Sequence, residues 1–382
     1  MITRKDILQW IEFPPFKGGR GVGLLILQCL IFLNSCSDER IEPAANSVQI
    51  MTYVSWFDEE TAVTRAWEQP TGYTPYDPGN KSIGFWFTQD APETVLKGYF
   101  FKNEGKWHTD AVVEDPGLYY LYGYTPHLAS IKGSITPGAE SKYANGANLT
   151  LEDVPTVMPG DLCVVIGAKE GVDAEHDNGL RRGDFAYNAK SITGAGGGDG
   201  NYVFLLLDHL YAALRIRLRV DQDYDALRTI KLKKLELKTQ VGEVTSKQRT
   251  TIDVTLAAND GSSSPITSID YTPTGEDIEG GVEFWSSSGE TITTSFSAYI
   301  GHFMPSGINK LVLTSTYDVY DKQGNLVRND CHAKNTMELS DLFSEQSTTR
   351  RGCRYTVNMT IKPTYLYMLS EPDLNNPTMT IN

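Results

Sequence analysis

Apolar and polar residues alternate along most of the chain, the period expected of β-strands with one buried face. The clearest example is residues 48–57, where alternate positions are held by Val48, Ile50, Thr52, Val54 and Trp56. Helical spacing is scarce, and Gly, Pro, Asn and Asp separate the apolar runs. The predicted strands are residues 48–57, 83–87, 99–101, 118–124, 162–166, 202–207, 214–220, 230–237, 282–285, 292–300, 310–315 and 354–361. The pattern therefore predicts an all-β protein.

Two of these strands carry additional features. Residues 214–220 alternate between an apolar face and a face with Arg215, Arg217 and Arg219. Because the chain has more acidic than basic residues, we expect these arginines to be solvated and paired with carboxylates. In residues 230–237, the consecutive Lys233 and Lys234 shift the alternation by one position. This shift predicts a β-bulge.

The composition changes at residues 192–200, which read ITGAGGGDG. Glycine loses much backbone freedom on ordering, so a regular element is costly there. A phosphate-binding loop would lead into a helix N-terminus, whereas this run leads into the predicted strand 202–207. We therefore interpret it as a surface connection between two tandem β-sandwich domains, residues 66–200 and 201–363, with a tail at 364–382.

Residues 1–35 are interpreted as a lipoprotein signal peptide. An apolar run, GLLILQCLIFL, follows Lys17 and Arg20. At about 1.5 Å per residue it is too short to cross a hydrocarbon layer of about 30 Å. The sequence LNSC at residues 33–36 resembles a bacterial lipobox. That resemblance implies a lipid on Cys36 that anchors the mature chain, beginning with a propeptide at residues 36–65, in the outer membrane.

Charge excludes one class of partner. The chain has 34 Lys and Arg against 48 Asp and Glu, a formal net charge of −14. Nucleic-acid binding needs clustered positive charge, so no nucleic-acid partner is expected.

Recognisable catalytic and metal-binding motifs are missing from the sequence. The six histidines form no HExxH pair and no cluster at metal-ligand spacing, and there is no nucleophile elbow or Walker-type loop. We therefore expect no enzymatic activity, no cofactor and no metal. The strand-rich C-terminal half contains Cys331 and Cys353, which are the candidate disulfide.

An ordered set of segments resembles the fimbrillins, a pilin family of Gram-negative gut and oral anaerobes. No single segment is specific, and the resemblance rests on their order along most of the chain. The segments are the lipobox Cys36, the strand 48–57, Thr64-Arg65-Ala66, GNKSIGF at 79–85, YGYTP at 122–126 and FLLLDHLYAAL at 204–214.

The resemblance implies transthyretin-like or Greek-key β-sandwich domains and a subunit of a cell-surface fimbria that serves adhesion. An arginine-specific protease would cut between Arg65 and Ala66, and the first strand would then leave. Another fimbrial subunit would insert a strand into the vacated groove, a form of β-augmentation. The displaced face would consist of Val48, Ile50, Val54 and Trp56.

The implied donor strand is the C-terminal tail, with candidate residues Leu366, Met368, Met379 and Ile381. Two alternatives stay open for these segments: the tail closes its own domain, as in a tip or anchor subunit, or Arg65 is never cut. A different reading is a non-polymerising outer-membrane lipoprotein that binds glycans by aromatic stacking. Its candidate aromatic residues are Trp56, Trp67, Trp86, Trp107 and Trp285.

Overall fold

Strands make up 66% of the described chain and helices 6%, which confirms the all-β prediction. The structure is a computed structural model and describes residues 46–54, 73–79, 81–111, 113, 117–171, 179–189, 202–343 and 346–361. Strands β1 to β10 are Asn46–Val54, Thr74–Pro75, Ile83–Asp90, Glu93–Asn103, Lys106–Thr109, Gly117–Thr125, Lys132–Pro137, Gly146–Pro155, Cys163–Gly171 and Ala186–Ala189. Strands β11 to β21 are Tyr202–His209, Ala212–Val220, Arg228–Val241, Val244–Thr245, Lys247–Ala257, Ile266–Asp277, Val282–Ile292, Ser297–Met304, Lys310–Asp321, Leu326–Glu338 and Arg354–Ile361. The α-helices in these ranges are α1, Gln222–Leu227, and α2, Leu339–Leu342.

The N-terminal sheet closes on itself. Its strands are hydrogen-bonded in the order β10-β6-β3-β4-β5-β1-β11-β9, with β2 attached to β1. Strand β9 also pairs with β6, through residues 163–164 and 124–125, and this contact completes the ring. We call the apolar cluster enclosed by the ring the interior core. Its members include Phe85, Phe87, Phe100, Leu121 and Val165.

A four-stranded sheet, in the order β16-β15-β8-β7, packs on the N-terminal sheet. Trp86 and Tyr122, on β3 and β6, form one buried cluster with Leu149 on β8 and Ile252 on β15. Strands β8 and β15 pair antiparallel along residues 146–155 and 249–257. The β15–β16 hairpin thus comes from the C-terminal half of the sequence but packs with the N-terminal half.

The position of β11 disagrees with the domain boundary predicted at residues 200/201. Residues 202–207 of this strand pair with β1, and residues 202–209 pair with β9. The strand assigned from the sequence to the second domain therefore completes the N-terminal sheet, and the chain leaves that sheet between β11 and β12. The reason is that alternation identifies a strand and its buried face but not its pairing partner.

The remaining strands form two sheets around a second core. One sheet has the order β18-β12-β21, and the other has the order β14-β13-β19-β20 with β17 also paired to β13. Leu214 and Ile216 of β12 pack in one cluster with Ile230 and Leu232 of β13. Residues 213–220 and 354–361 pair in parallel. Two sheets that bury apolar faces in a shared cluster fit the predicted β-sandwich.

Two local strand predictions have opposite outcomes. The pairing of β13 with both β17 and β19 shifts between Leu232 and Lys234, which confirms the predicted β-bulge. The single strand predicted over residues 292–300 is wrong, because β17 ends at Ile292 and β18 begins at Ser297. The hydroxyl of Thr293 accepts a hydrogen bond from the amide of Ser295 at 3.2 Å and stabilises a turn between the two strands.

The arginine face of β12 is present, and within the described ranges its contacts are with aromatic and hydroxyl groups instead of carboxylates. Among the described residues, Arg215, Arg217 and Arg219 form no ion pair. The guanidinium groups of Arg217 and Arg219 lie 4.9 and 4.6 Å from the ring centre of Phe296. Nε of Arg219 also donates to Oγ1 of Thr360 at 3.0 Å. Aromatic and hydroxyl contacts therefore take the place of the expected ion pairs.

The predicted disulfide is not formed, because Cys331 and Cys353 are both free thiols. Cys331 lies on β20 opposite Tyr317 of β19, whereas Cys353 is buried in the second core just before β21. Strands β20 and β21 belong to different sheets. Residue spacing cannot reveal this separation, which is why the pairing prediction failed.

Buried His302 should make stability depend on pH. It is 3% exposed, and its Nε2 donates to the carbonyl of Glu283 at 3.3 Å. Burial lowers the pKa of His302 below its ordinary 6.5, and hydrogen bonds to the backbone partly offset this effect. Because the folded protein takes up this proton less readily than the unfolded chain, the contribution is complete above about pH 6.5 and is lost below it.

We therefore expect the free energy of unfolding in urea to fall between about pH 7 and pH 5. The fall should be smaller in His302→Gln, because glutamine does not titrate. His332→Gln, on the exposed strand β20, is the matched control and should keep the wild-type slope. Equal slopes in all three proteins would refute this assignment.

Candidate functional site

Strand β1 lies inside the N-terminal sheet, not at its edge. Residues 49–54 pair in parallel with residues 202–207 of β11. On the opposite side, residues 46–48 pair antiparallel with β5, and residues 53–54 pair with β2. The first described strand is therefore enclosed between neighbours from other parts of the chain.

One face of β1 is buried in the interior core, as the alternation predicts. Val48 is 2% exposed, Ile50 9% and Val54 3%. Thr52, on the same face, is also buried, whereas Gln49, which lies between Val48 and Ile50, is exposed. Three aliphatic side chains at about 1.5–3 kcal/mol each contribute on the order of 5–9 kcal/mol of burial. This contribution is similar in size to the whole net stability of a domain, about 5–15 kcal/mol.

The chain that follows the predicted cleavage position is hydrogen-bonded back to β1. The hydroxyl of Thr52 donates to the carbonyl of Tyr76. In return, the amide of Tyr76 donates to the carbonyl of Thr52 at 2.8 Å. The hydroxyl of Thr74 donates to the carbonyl of Val54 at 3.3 Å. A cut at Arg65 would therefore leave β1 held by non-covalent contacts alone.

Removal of β1 would open a strand-shaped gap in the ring. Within the described residues, β1 is the strand that separates β5 from β11. Its loss would leave the backbone groups of residues 202–207 without their partners on that side. It would also uncover Val203, Leu205 and Leu207, each 0% exposed in the intact sheet. We call this gap the β1 groove.

Several residues predicted from the sequence lie outside the described residues, and their roles stay predictions. Cys36, Arg65 and Ala66 belong to this group, as does Trp56 at the end of the predicted first strand. The tail residues Leu366, Met368, Met379 and Ile381 belong to it as well. Of the predicted site residues, the structure places Val48, Ile50 and Val54 together on one buried face of β1.

The described tryptophans offer little surface for sugar stacking. Trp86 is 2% exposed and packs between the N-terminal sheet and the β8–β15 sheet. Trp107 is 9% exposed in the interior core. Trp285 is half-buried and lies edge-on to Tyr299, with ring centres 4.9 Å apart. Their packing is that of core side chains.

A second cluster joins Asp161, Cys163 and His209, which residue spacing did not reveal. Cys163 and His209 face each other on β9 and β11, 46 residues apart in sequence. All three side chains are buried. A pairing map of the strands would have been needed to find this cluster, because no local motif contains it.

No helix in the described part of the chain has the length and apolar character needed to span a membrane. No protein-family model matches the chain, and no curated protein matches it. Among solved structures, the chain is similar to a fimbrial protein from Bacteroides vulgatus, with 13% identity and a TM-score of 0.36 over 82% of this chain and 95% of that one. It is also similar to the fimbrial anchor protein Mfa2 from Porphyromonas gingivalis, with 11% identity and a TM-score of 0.26 over 81% and 90%. A third similar structure is a candidate cell-adhesion protein from Bacteroides uniformis, with 13% identity and a TM-score of 0.33 over 83% of this chain and 93% of that one.

These three neighbours are fimbrial and candidate cell-adhesion proteins. Identities and TM-scores this low transfer no residue role. The assignments that follow rest on the geometry of β1 and on the sequence.

Proposed function

We propose that this protein is a structural subunit of a cell-surface fimbria with a role in adhesion, and that it is not an enzyme. The carrying observation is the position of β1. This strand is buried in the N-terminal sheet, and it is joined to the next described strand through the segment that contains Arg65. A single cut in that segment would break the covalent link between β1 and the body of the domain.

Assembly would proceed by replacement of β1 with a strand from another subunit. The incoming strand would form hydrogen bonds with residues 202–207 of β11, at about 1 kcal/mol each. Apolar side chains at alternate positions would refill the interior core in place of Val48, Ile50 and Val54. The same groups would be buried before and after exchange. Because β1 fills the groove until the chain is cut at Arg65, the uncut subunit would present no open strand edge for premature pairing.

The C-terminal tail has the spacing that a donor strand needs. Leu366 and Met368 are two residues apart, as are Met379 and Ile381. Pairs at this spacing share one face of a strand, as Val48 and Ile50 do in β1. In this scheme the lipid on Cys36 holds the precursor in the outer membrane, and an arginine-specific protease triggers release.

The test is controlled cleavage of the purified full chain with an arginine-specific protease. Wild-type protein should form a ladder of multimers in mild-detergent electrophoresis without boiling, and the ladder should collapse to monomer on boiling. Arg65→Ala should abolish the ladder, because the strand stays attached. Arg328→Ala, on the exposed strand β20, is the matched control and should assemble like the wild type.

A wild-type protein that is cut after Arg65 yet stays monomeric would contradict the proposal. The same holds if Arg65→Ala assembles as efficiently as Arg328→Ala under identical protease treatment.

A further inference from the structure

Asp161, Cys163 and His209 meet inside the N-terminal sheet, and we call them the DCH cluster. Cys163 opens β9 and lies directly opposite His209 at the end of β11. Asp161 precedes Cys163 by two residues. Their exposed fractions are 4% for Asp161, 0% for Cys163 and 0% for His209. Three side chains with oxygen, sulfur and nitrogen ligand atoms are thus held together away from solvent.

The ligand atoms converge on one point. Nδ1 of His209 lies 2.9 Å from both carboxylate oxygens of Asp161 and 3.4 Å from Sγ of Cys163. One ligand atom from each residue can be chosen so that all lie within 4.8 Å of one another. The same ring nitrogen faces both other residues, and this distinguishes the cluster from a catalytic triad. In a triad the nucleophile and the carboxylate contact different nitrogens of the imidazole.

Within the cluster, acceptor lone pairs outnumber the available protons. A carboxylate offers about four lone-pair sites, and a buried one normally accepts several hydrogen bonds. Within the cluster, the N–H of His209 and the weakly donating S–H of Cys163 are the protons available to Asp161. A cation at the centre would interact with all three residues at once.

We propose that the DCH cluster binds one divalent transition-metal ion, and that Zn²⁺ is the ion its ligands suit best. Zinc takes thiolate, imidazole and carboxylate ligands together, in tetrahedral geometry. Bond lengths of about 2.0–2.3 Å place its ligand atoms about 3.4–3.6 Å apart. The observed 3.4 Å between sulfur and nitrogen matches this range. The carboxylate would need to move outward by about half an ångström.

The charges and protons balance in this site. Burial, more than any other cause, raises the pKa of the Cys163 thiol, and the Asp161 charge raises it further. An ordinary thiol is largely protonated at neutral pH, and formation of the metal–sulfur bond releases that proton. His209 must keep its proton on Nε2 so that the Nδ1 lone pair is free to bind. One thiolate, one carboxylate and Zn²⁺ sum to zero charge, which suits a buried position.

The site does not depend on strand exchange. Its ligands lie on β9, on β11 and in the turn before β9, and none belongs to β1. Failure of the metal proposal would leave the proposed fimbrial function standing, and the reverse is also true.

The test is metal analysis of the purified full chain after incubation with Zn²⁺ and dialysis. Wild-type protein should retain about one zinc ion per chain. Cys163→Ser and His209→Gln should retain almost none. Cys331→Ser removes a thiol on β20, which belongs to a different sheet from β9 and β11. This variant should retain as much zinc as the wild type. Circular dichroism must show that each variant is folded.

Co²⁺ absorption tests the site in the wild-type protein alone, so this measurement does not depend on whether the variants fold. Wild-type protein loaded with Co²⁺ should show a sulfur-to-metal charge-transfer absorption, and Zn²⁺ should abolish it by competition. A chelator should lower the melting temperature of the zinc-loaded wild type. Wild-type protein without bound zinc and without this absorption would overturn the proposal, as would zinc retained equally by folded Cys163→Ser.

Discussion

Ile50→Asp should lower the free energy of unfolding by about 3–5 kcal/mol, the range for an uncompensated charge in a core. Ile50 is 9% exposed and packs in the interior core at the centre of β1. An aspartate there has no cationic partner in that apolar cluster, so it must lose hydration or expel β1 from the sheet. Urea denaturation of the full chain measures the loss.

Gln49→Asp is the matched control. It introduces the same residue one position earlier, on the exposed face of β1. Surface substitutions of this kind usually change stability by about 0.5 kcal/mol or less. If the two variants unfold at the same urea concentration, β1 does not hold the N-terminal sheet together, and a removable strand would have no structural consequence.

Gly123→Ala should also be strongly destabilising, by about 3 kcal/mol. Gly123 lies on β6 just before the residues that pair with β9 and close the ring. A Cβ at this position would come within 2.6 Å of the carbonyl oxygen of Gly84 and 3.2 Å of Cγ2 of Val165. The first contact is with backbone, so a side-chain rotation cannot relieve it.

Gly280→Ala provides the comparison, because a Cβ there meets nothing within 4 Å. At about 2.1 cal/mol/K of unfolding entropy per residue, a destabilisation of about 3 kcal/mol corresponds to a decrease of roughly 4 °C in melting temperature for a chain of 382 residues. Thermal unfolding followed by circular dichroism resolves such a difference. Equal melting temperatures for the two variants would show that the ring does not need this close approach.

The strands themselves were largely predictable from local pattern. The alternation of β1, the apolar face of β12 and the bulge at Lys233 and Lys234 all follow from side-chain period and are present in the structure. The break between β17 and β18 was missed because Thr293 closes a turn through its side chain, and alternation does not report this. Local periodicity thus specifies strands and faces, within the limits set by turn chemistry.

Strand partners were not predictable, and the sites depend on them. The buried face of β1 was correct, but its parallel pairing with β11 joins residues far apart in sequence. The same long-range pairing brings Cys163 opposite His209. It also separates Cys331 from Cys353 into different sheets. Single-sequence patterns contain the side chains of each site but not the sheet order that assembles or separates them.

The N-terminal sequence of the subunit in multimers recovered from the cell surface tests the proposed exchange most directly. If β1 is a removable strand, the first residue of the assembled subunit is Ala66, and residues 46–54 are missing from the boiled multimers. If the assembled subunit instead begins at lipidated Cys36 and retains residues 46–54, β1 is a permanent part of the sheet. Strand replacement in the β1 groove would then be excluded.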